Sequence, residues 1–145
     1  MNKNQLIKSL GKKPLVIAEV GQNHQGSLEL AKKYVEEFSK KGADIIKFQV
    51  RDNKKLFSKE AYNKTYDSEN SFGTTYGQHR EKLELNFKEL RIIRNECKKR
   101  NLCFMITPFD ENSLKLVSKL NVDIIKIASF DLGNICKKPP FIDCN

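Results

Sequence analysis

The chain has 145 residues, 31% of them charged and 39% hydrophobic, and a formal net charge of +9. That length suits one domain, or part of one, with a core of its own. No low-complexity tract, signal-peptide core or apolar run near the ~18 residues of a bilayer crossing occurs, which argues against disorder, secretion and a membrane partner and makes the cytoplasm the expected location.

The excess of Lys and Arg invites a nucleic-acid reading. Lys40-Lys41 and Lys98-Lys99-Arg100 nevertheless fall where helices should end, and cations suit that end of the helix dipole. Without a basic stripe or aromatic stacking positions, no nucleic acid is expected as a partner. Cys97, Cys103, Cys136 and Cys144 form no CxxC pair and lack the paired histidines of a zinc site, so they are expected to be reduced thiols.

Leu15 to Val20 reads as a first strand. Leu28 to Lys40 then places Leu28, Ala31, Tyr34, Val35 and Phe38 at helical spacing, with Ser27 as its cap and Gly42 as its stop. Ala43 to Val50 is a second strand. The polar stretch from Arg51 to about Glu84 is too long for an ordinary connection, and loops of that length usually carry function. Phe87 to Arg100 is a second amphipathic helix through Leu90, Ile93 and Cys97, and Leu102 to Thr107 a third strand closed by Pro108. Asp110 or Asn112 caps a third helix carrying Leu114, Val117 and Leu120, and Val122 to Ala128 makes a fourth strand. Beyond Asp131 the alternation stops. The class is α/β, a parallel sheet covered by helices, and periodicity alone leaves a doubly wound sheet and a closed barrel both open.

Buried strands of this type should end in aliphatic residues, yet Glu19, Lys47 and Lys126 stand at or near their carboxyl ends. By the two-residue period Lys47 and Gln49 share one face, while Ile46, Phe48 and Val50 point to the covering helices. In parallel α/β folds ligands bind at the carboxyl ends of the strands. Two lysines there suit an anion, and a nearby carboxylate suits proton transfer or pairing with a lysine. An ion pair of Glu19 with a lysine is the purely structural alternative, though buried pairs seldom add net stability. Gly21 to Gly26 lacks the G-x-G-x-x-G spacing of a dinucleotide loop. His24 and His79 lie in loops and read as surface or structural residues rather than ligands.

The segments Ile17-Ala-Glu-Val-Gly-Gln-Asn-His-Gln-Gly26, Gly42-Ala-Asp-Ile-Ile-Lys-Phe-Gln49, Tyr76-Gly-Gln-His-Arg80, Thr107-Pro-Phe-Asp110 and Lys126-Ile-Ala-Ser129 together resemble the sialic acid synthase family in order and spacing. The resemblance runs from about Pro14 to Asn134. It implies a (β/α)8 TIM barrel, of which residues 1–145 hold about four βα units with parallel strands, without the later strands or the antifreeze-like domain that follows the barrel.

The implied reaction condenses phosphoenolpyruvate with N-acetylmannosamine, or another N-acetylated amino sugar, to a nine-carbon 2-keto acid, assisted by Mn or Mg. Pseudaminic and legionaminic acid synthases are related alternatives, and an inactive half-barrel or binding fragment is a third. By the same resemblance, Glu19 moves protons at the reacting centre, and Lys47, Thr107, Lys126 and Ser129 contact phosphoenolpyruvate. Gln49 and Asp131 orient substrates, and Asn70 contacts the sugar. The family's metal-binding histidines lie on later strands, so no metal ligand is expected here. With the first and fourth strands as open edges, a homodimer or other self-association is expected.

Overall fold

Four parallel strands form one sheet in the order β1-β2-β3-β4, and the structure, a computed structural model, describes residues 3–133. Along the chain run α1 (Lys3–Ser9), β1 (Ile17–Gly21), α2 (Leu28–Lys40), β2 (Ile45–Val50), three short helices α3 (Asn53–Leu56), α4 (Lys59–Asn63) and α5 (Tyr76–Lys82), then α6 (Phe87–Lys99), β3 (Cys103–Pro108), α7 (Glu111–Leu120) and β4 (Ile124–Ile125). The expected parallel, helix-alternating α/β architecture is present.

Helix starts follow the capping chemistry of the chain. Ser27 accepts from the Leu30 N–H at 3.2 Å, and Asp110 caps α7 through the Ser113 N–H at 2.8 Å. Asn86 and Glu89 form a full reciprocal capping box at the start of α6. Three of the basic residues at helix ends are held within their own helices or between them: Lys40 pairs with Glu36 and Glu37, Lys99 with Glu96, and Arg100 with Glu36.

Strand parity divides the core in two. Val20, Ile46, Phe48, Val50, Phe104 and Ile106 pack against Ala31 and Val35 of α2, Leu90, Ile93 and Cys97 of α6, and Val117 and Leu120 of α7. The opposite parity gives a second, smaller cluster of Ile45, Cys103 and Met105 closed by Leu6 of α1, with Leu15 and Ile124 beside it. Helix α1 therefore covers the amino-terminal half of the inner face, a contact that the opening residues do not announce in their sequence. The carboxyl half of that face is left to polar side chains.

The chain repeats Asp-Ile-Ile-Lys at 44–47 and 123–126. In each copy the aspartate latches the neighbouring strand. Asp44 accepts the Val16 N–H at 3.0 Å and Asp123 the Phe104 N–H at 2.9 Å. The Val16 hydrogen bond, then the Lys13 ammonium, holds the Asp44 carboxyl below its ordinary range. Three residues after each latch a lysine reaches the carboxyl edge of the sheet.

Two expectations need correction. The fourth strand is only Ile124–Ile125 rather than 122–128, because Asp123 is occupied in latching β3 and the backbone turns into a 3-10 helix at Ser129–Asp131. The long stretch from Arg51 to Glu84 is not without structure either. It holds α3, α4 and α5, each of seven residues or fewer and too short for periodicity to reveal. Cys97 and Cys103 are buried and form no disulfide; Cys136 and Cys144 lie outside the described residues.

Candidate functional site

At the carboxyl edge of the sheet Glu19 is the register partner of Lys47, and Gln49 of Thr107. Glu19 Oε2 pairs with Lys47 Nζ across the β1–β2 ladder. Gln49 Nε2 lies 3.4 Å from Glu19 Oε1. Between these side chains β1 bulges, its register shifting between Glu19 and Gly21. Gly21 takes φ +57°, and a Cβ there would stand 3.3 Å from Glu19 Oε1 and 3.5 Å from Gln49 Nε2. A side chain at this position would crowd the pair.

Thr107 is buried, and its Oγ1 has no hydrogen-bond partner. An unsatisfied hydroxyl at this depth costs free energy unless a ligand or water meets it. Lys126 continues the ladder through its N–H to Ile106 O at 3.0 Å. Ile124 packs in the inner cluster and Ile125 in the outer one, so Lys126 shares the inner face with Ile124. Together with Asp131 and Asp110 it lines a small cleft beside the start of α7.

The residues expected at the site thus fall into groups. Glu19, Lys47 and Gln49 are joined directly, with Thr107 adjacent in register. Lys126 and Asp131 line the neighbouring cleft. Ser129 opens the 3-10 helix and is exposed. Asn70 is exposed in the long connection and hydrogen-bonds locally, its N–H 3.3 Å from Ser68 Oγ. It is not joined to the strand-end network.

Two further residues, Arg51 and Glu84, belong to this edge. Arg51 donates through Nη2 to Gln49 Oε1, lies 3.9 Å over the Phe109 ring, and approaches Glu84 Oε1 at 3.6 Å through Nη1. Glu84 accepts the Arg51 backbone N–H at 3.1 Å and a bond from Gln22 Nε2. Burial raises its carboxyl, against the nearby Arg51 cation. The signal for this pair was a charge between Leu83 and Leu85 and another just past the last strand residue, both short enough to pass for ordinary loop polarity.

Both histidines are packed. His24 stacks on Phe48 at 5.7 Å, and its Nδ1 accepts the Gly26 N–H at 3.1 Å. His79 sits among Tyr66, Phe72 and Tyr76 and accepts the Phe72 N–H at 3.3 Å. Burial lowers the pKa of each. Among the described residues no group of three or more His, Cys, Asp or Glu side chains is placed to hold a metal ion. The divalent ion implied by resemblance has no fitted donor set among them. No helix of the described residues is long and apolar enough to cross a membrane.

The profile of the NeuB family matches residues 34–137. The chain is 42% identical over 119 residues to an N-acetylneuraminate-9-phosphate synthase of Drosophila melanogaster, covering 82% of this chain and 32% of that protein. It is 38% identical over 125 residues to an N,N'-diacetyllegionaminic acid synthase of Campylobacter jejuni, covering 86% of this chain and 37% of the relative. Among solved structures, the sialic acid synthetase of Leptospira borgpetersenii in complex with citrate superimposes with a TM-score of 0.67 at 30% identity, over 88% of this chain and 42% of that one. The chain thus spans about a third of the length of the curated relatives it matches.

Proposed function

Because the chain belongs to the NeuB family, we propose that its strand ends form the phosphoenolpyruvate-binding part of an N-acetylneuraminate synthase-like site. The observation that carries this reading is the Lys47–Glu19 pair at the strand ends, with the buried, unpartnered Thr107 hydroxyl on the adjoining strand.

Lys47 and Lys126 hold the carboxylate and phosphate of the ligand as point charges, and Thr107 Oγ donates to one of its oxygens. Ser129 closes on the same anion, and Gln49 and Asp131 orient the reactants. Glu19, released from Lys47 by the arriving anion, moves a proton at the reacting carbon. The partner substrate is N-acetylmannosamine or a related N-acetylated sugar, approaching from the side of the long connection that carries Asn70. Bond formation between the enol carbon of phosphoenolpyruvate and the sugar aldehyde, followed by water addition and loss of phosphate, gives a nine-carbon 2-keto acid.

A second reading, a legionaminic acid synthase, is supported by the Campylobacter jejuni relative, whose identity to this chain is near that of the Drosophila protein. It changes the sugar and leaves the roles of the strand-end residues as they are.

Calorimetric titration with phosphoenolpyruvate tests the proposal at low ionic strength, where charge attraction is least screened. The chain should bind, and Lys47→Ala and Lys126→Ala should each lower the affinity at least about tenfold, the loss of one close charge contact. Equal affinities in all three proteins would overturn the assignment.

A further inference from the structure

The side-chain amide of Gln49 has two neighbours of opposite hydrogen-bonding capacity. Arg51 can only donate, and it meets Oε1. The Glu19 carboxylate, when ionised, can only accept, and it lies 3.4 Å from Nε2. A flipped amide would set an NH2 against a guanidinium and a carbonyl oxygen against a carboxylate, both repulsive. One orientation of Gln49 is therefore selected by its neighbours.

Arg51 can enforce that orientation only if it is itself fixed, and three contacts fix it. Its side chain is 9% exposed and stands 3.6 Å from Glu84 Oε1, a carboxylate whose own side chain is 14% exposed. Its backbone N–H is bound by the other oxygen of Glu84 at 3.1 Å. Its guanidinium carbon rests 3.9 Å over the Phe109 ring, and that ring follows Pro108 at the end of β3. Glu84 is tied in turn to Gln22 in the connection after β1. The guanidinium is thus held between the connections that leave β1, β2 and β3, and its Nη2 is aimed back along β2.

We propose that Arg51, anchored by Glu84 and Phe109, is a positioning residue that locks the Gln49 amide with its NH2 toward Glu19. The lock keeps one oriented donor at the strand ends before any ligand arrives, so that none of the ligand's binding energy goes into turning the amide. This role for the site rests on the phosphoenolpyruvate reading above; the lock itself does not.

The direct readout is nitrogen-15 relaxation of the Gln49 side-chain NH2 in the ligand-free chain. In the native protein it should be as rigid as the backbone amides of β2. In Arg51→Met, which keeps an apolar stem over Phe109 but removes the donors, the NH2 should become mobile while β2 backbone amides keep their relaxation and exchange protection. Glu84→Gln, which removes the anchoring charge and keeps the shape, should give an intermediate mobility. Phosphoenolpyruvate affinity should fall about fivefold in Arg51→Met.

A mobile Gln49 NH2 in the native chain overturns the proposal whether or not the variants fold. So does a rigid one in Arg51→Met, or loosening of the NH2 and the β2 backbone together, which would make Arg51 purely structural. A locked amide in a chain that fails to bind phosphoenolpyruvate counts against the functional reading and leaves the lock standing.

Discussion

Glu19 and Lys47 are register partners on β1 and β2 and form an ion pair across the strands. Lys47 is the less exposed of the two, its side chain 15% accessible against 41% for Glu19. If the strand ends bind an anion as proposed, the more accessible carboxylate is the partner it would displace. In Glu19→Gln no competing charge remains, so phosphoenolpyruvate affinity at low salt should stay level or rise severalfold, whereas Lys47→Ala loses it. Calorimetry on the two variants checks this. Loss of binding in Glu19→Gln would show that binding itself requires the carboxylate, against its displacement by the anion.

The glycine after β1's bulge offers a second test. Gly26 takes φ +72°, and a Cβ there would run into the Lys82 carbonyl oxygen. That backbone belongs to the segment leading to Glu84, so the clash cannot be relieved by turning a flexible side chain. Left-handed strain of roughly 1–2 kcal/mol and overpacking of a similar size act together. Gly26→Ala should lose about 3 kcal/mol by chemical denaturation and loosen the Gln22–Glu84 contact. A stability within about 0.5 kcal/mol of the native chain would contradict the packing described.

How much of this was legible in the sequence depends on the range over which a signal acts. Alternation of Ile46, Phe48 and Val50 with Lys47 and Gln49 separates the two faces of β2, because side-chain parity is a local property of a strand. The Ser27 cap and the Gly42 stop are equally local. Arg51 and Glu84 are 33 positions apart, and only closure of the fold shows that they share one buried contact. Helix α1 was missed for a related reason: seven residues carry too little periodicity, and its one buried leucine has meaning only beneath β2 and β3. The fourth strand was overextended because Ile127 and Ala128 continue an apolar run past the point where the backbone turns.

His24 makes stability depend on pH. Burial, opposed by its backbone hydrogen bond near Gly21, depresses its pKa from an ordinary 6.5. As pH falls through that value the unfolded chain takes up a proton that folded His24 refuses, so folding weakens; the contribution is fully present above it. His79 is depressed by burial and by Arg80 and acts with the same sign. Glu84, raised by burial, acts oppositely above its ordinary 4.5. The difference between proteins therefore isolates the histidine. Between about pH 7.5 and 5.5 the thermal midpoint of the native chain should fall more than that of His24→Gln, by roughly 3 °C. Parallel pH profiles would place His24 outside the titrating set.

Leu6 of α1 is buried at the amino-terminal end of the inner face, packed with Ile45, Cys103 and Met105, while Ile7 and Leu10 of the same segment are exposed. The short helix has little stability of its own, so this contact is what keeps it on the sheet. Leu6→Ala removes most of the buried side chain and leaves a cavity that α1 can relieve only by lifting away. We expect a loss of ~2 to 3 kcal/mol, less if the helix detaches cleanly. The cysteines separate the two outcomes. Cys103 lies beneath Leu6, whereas Cys97 is buried in the outer cluster under α6, its thiol pushed up to about 12 by burial. If α1 lifts, iodoacetamide labelling of Cys103, read by peptide mass mapping, should speed up about tenfold as its thiol becomes accessible, with Cys97 unchanged. Acceleration at both cysteines would indicate global unfolding instead. Unchanged labelling at Cys103 together with native stability would show that α1 does not cover the sheet in solution.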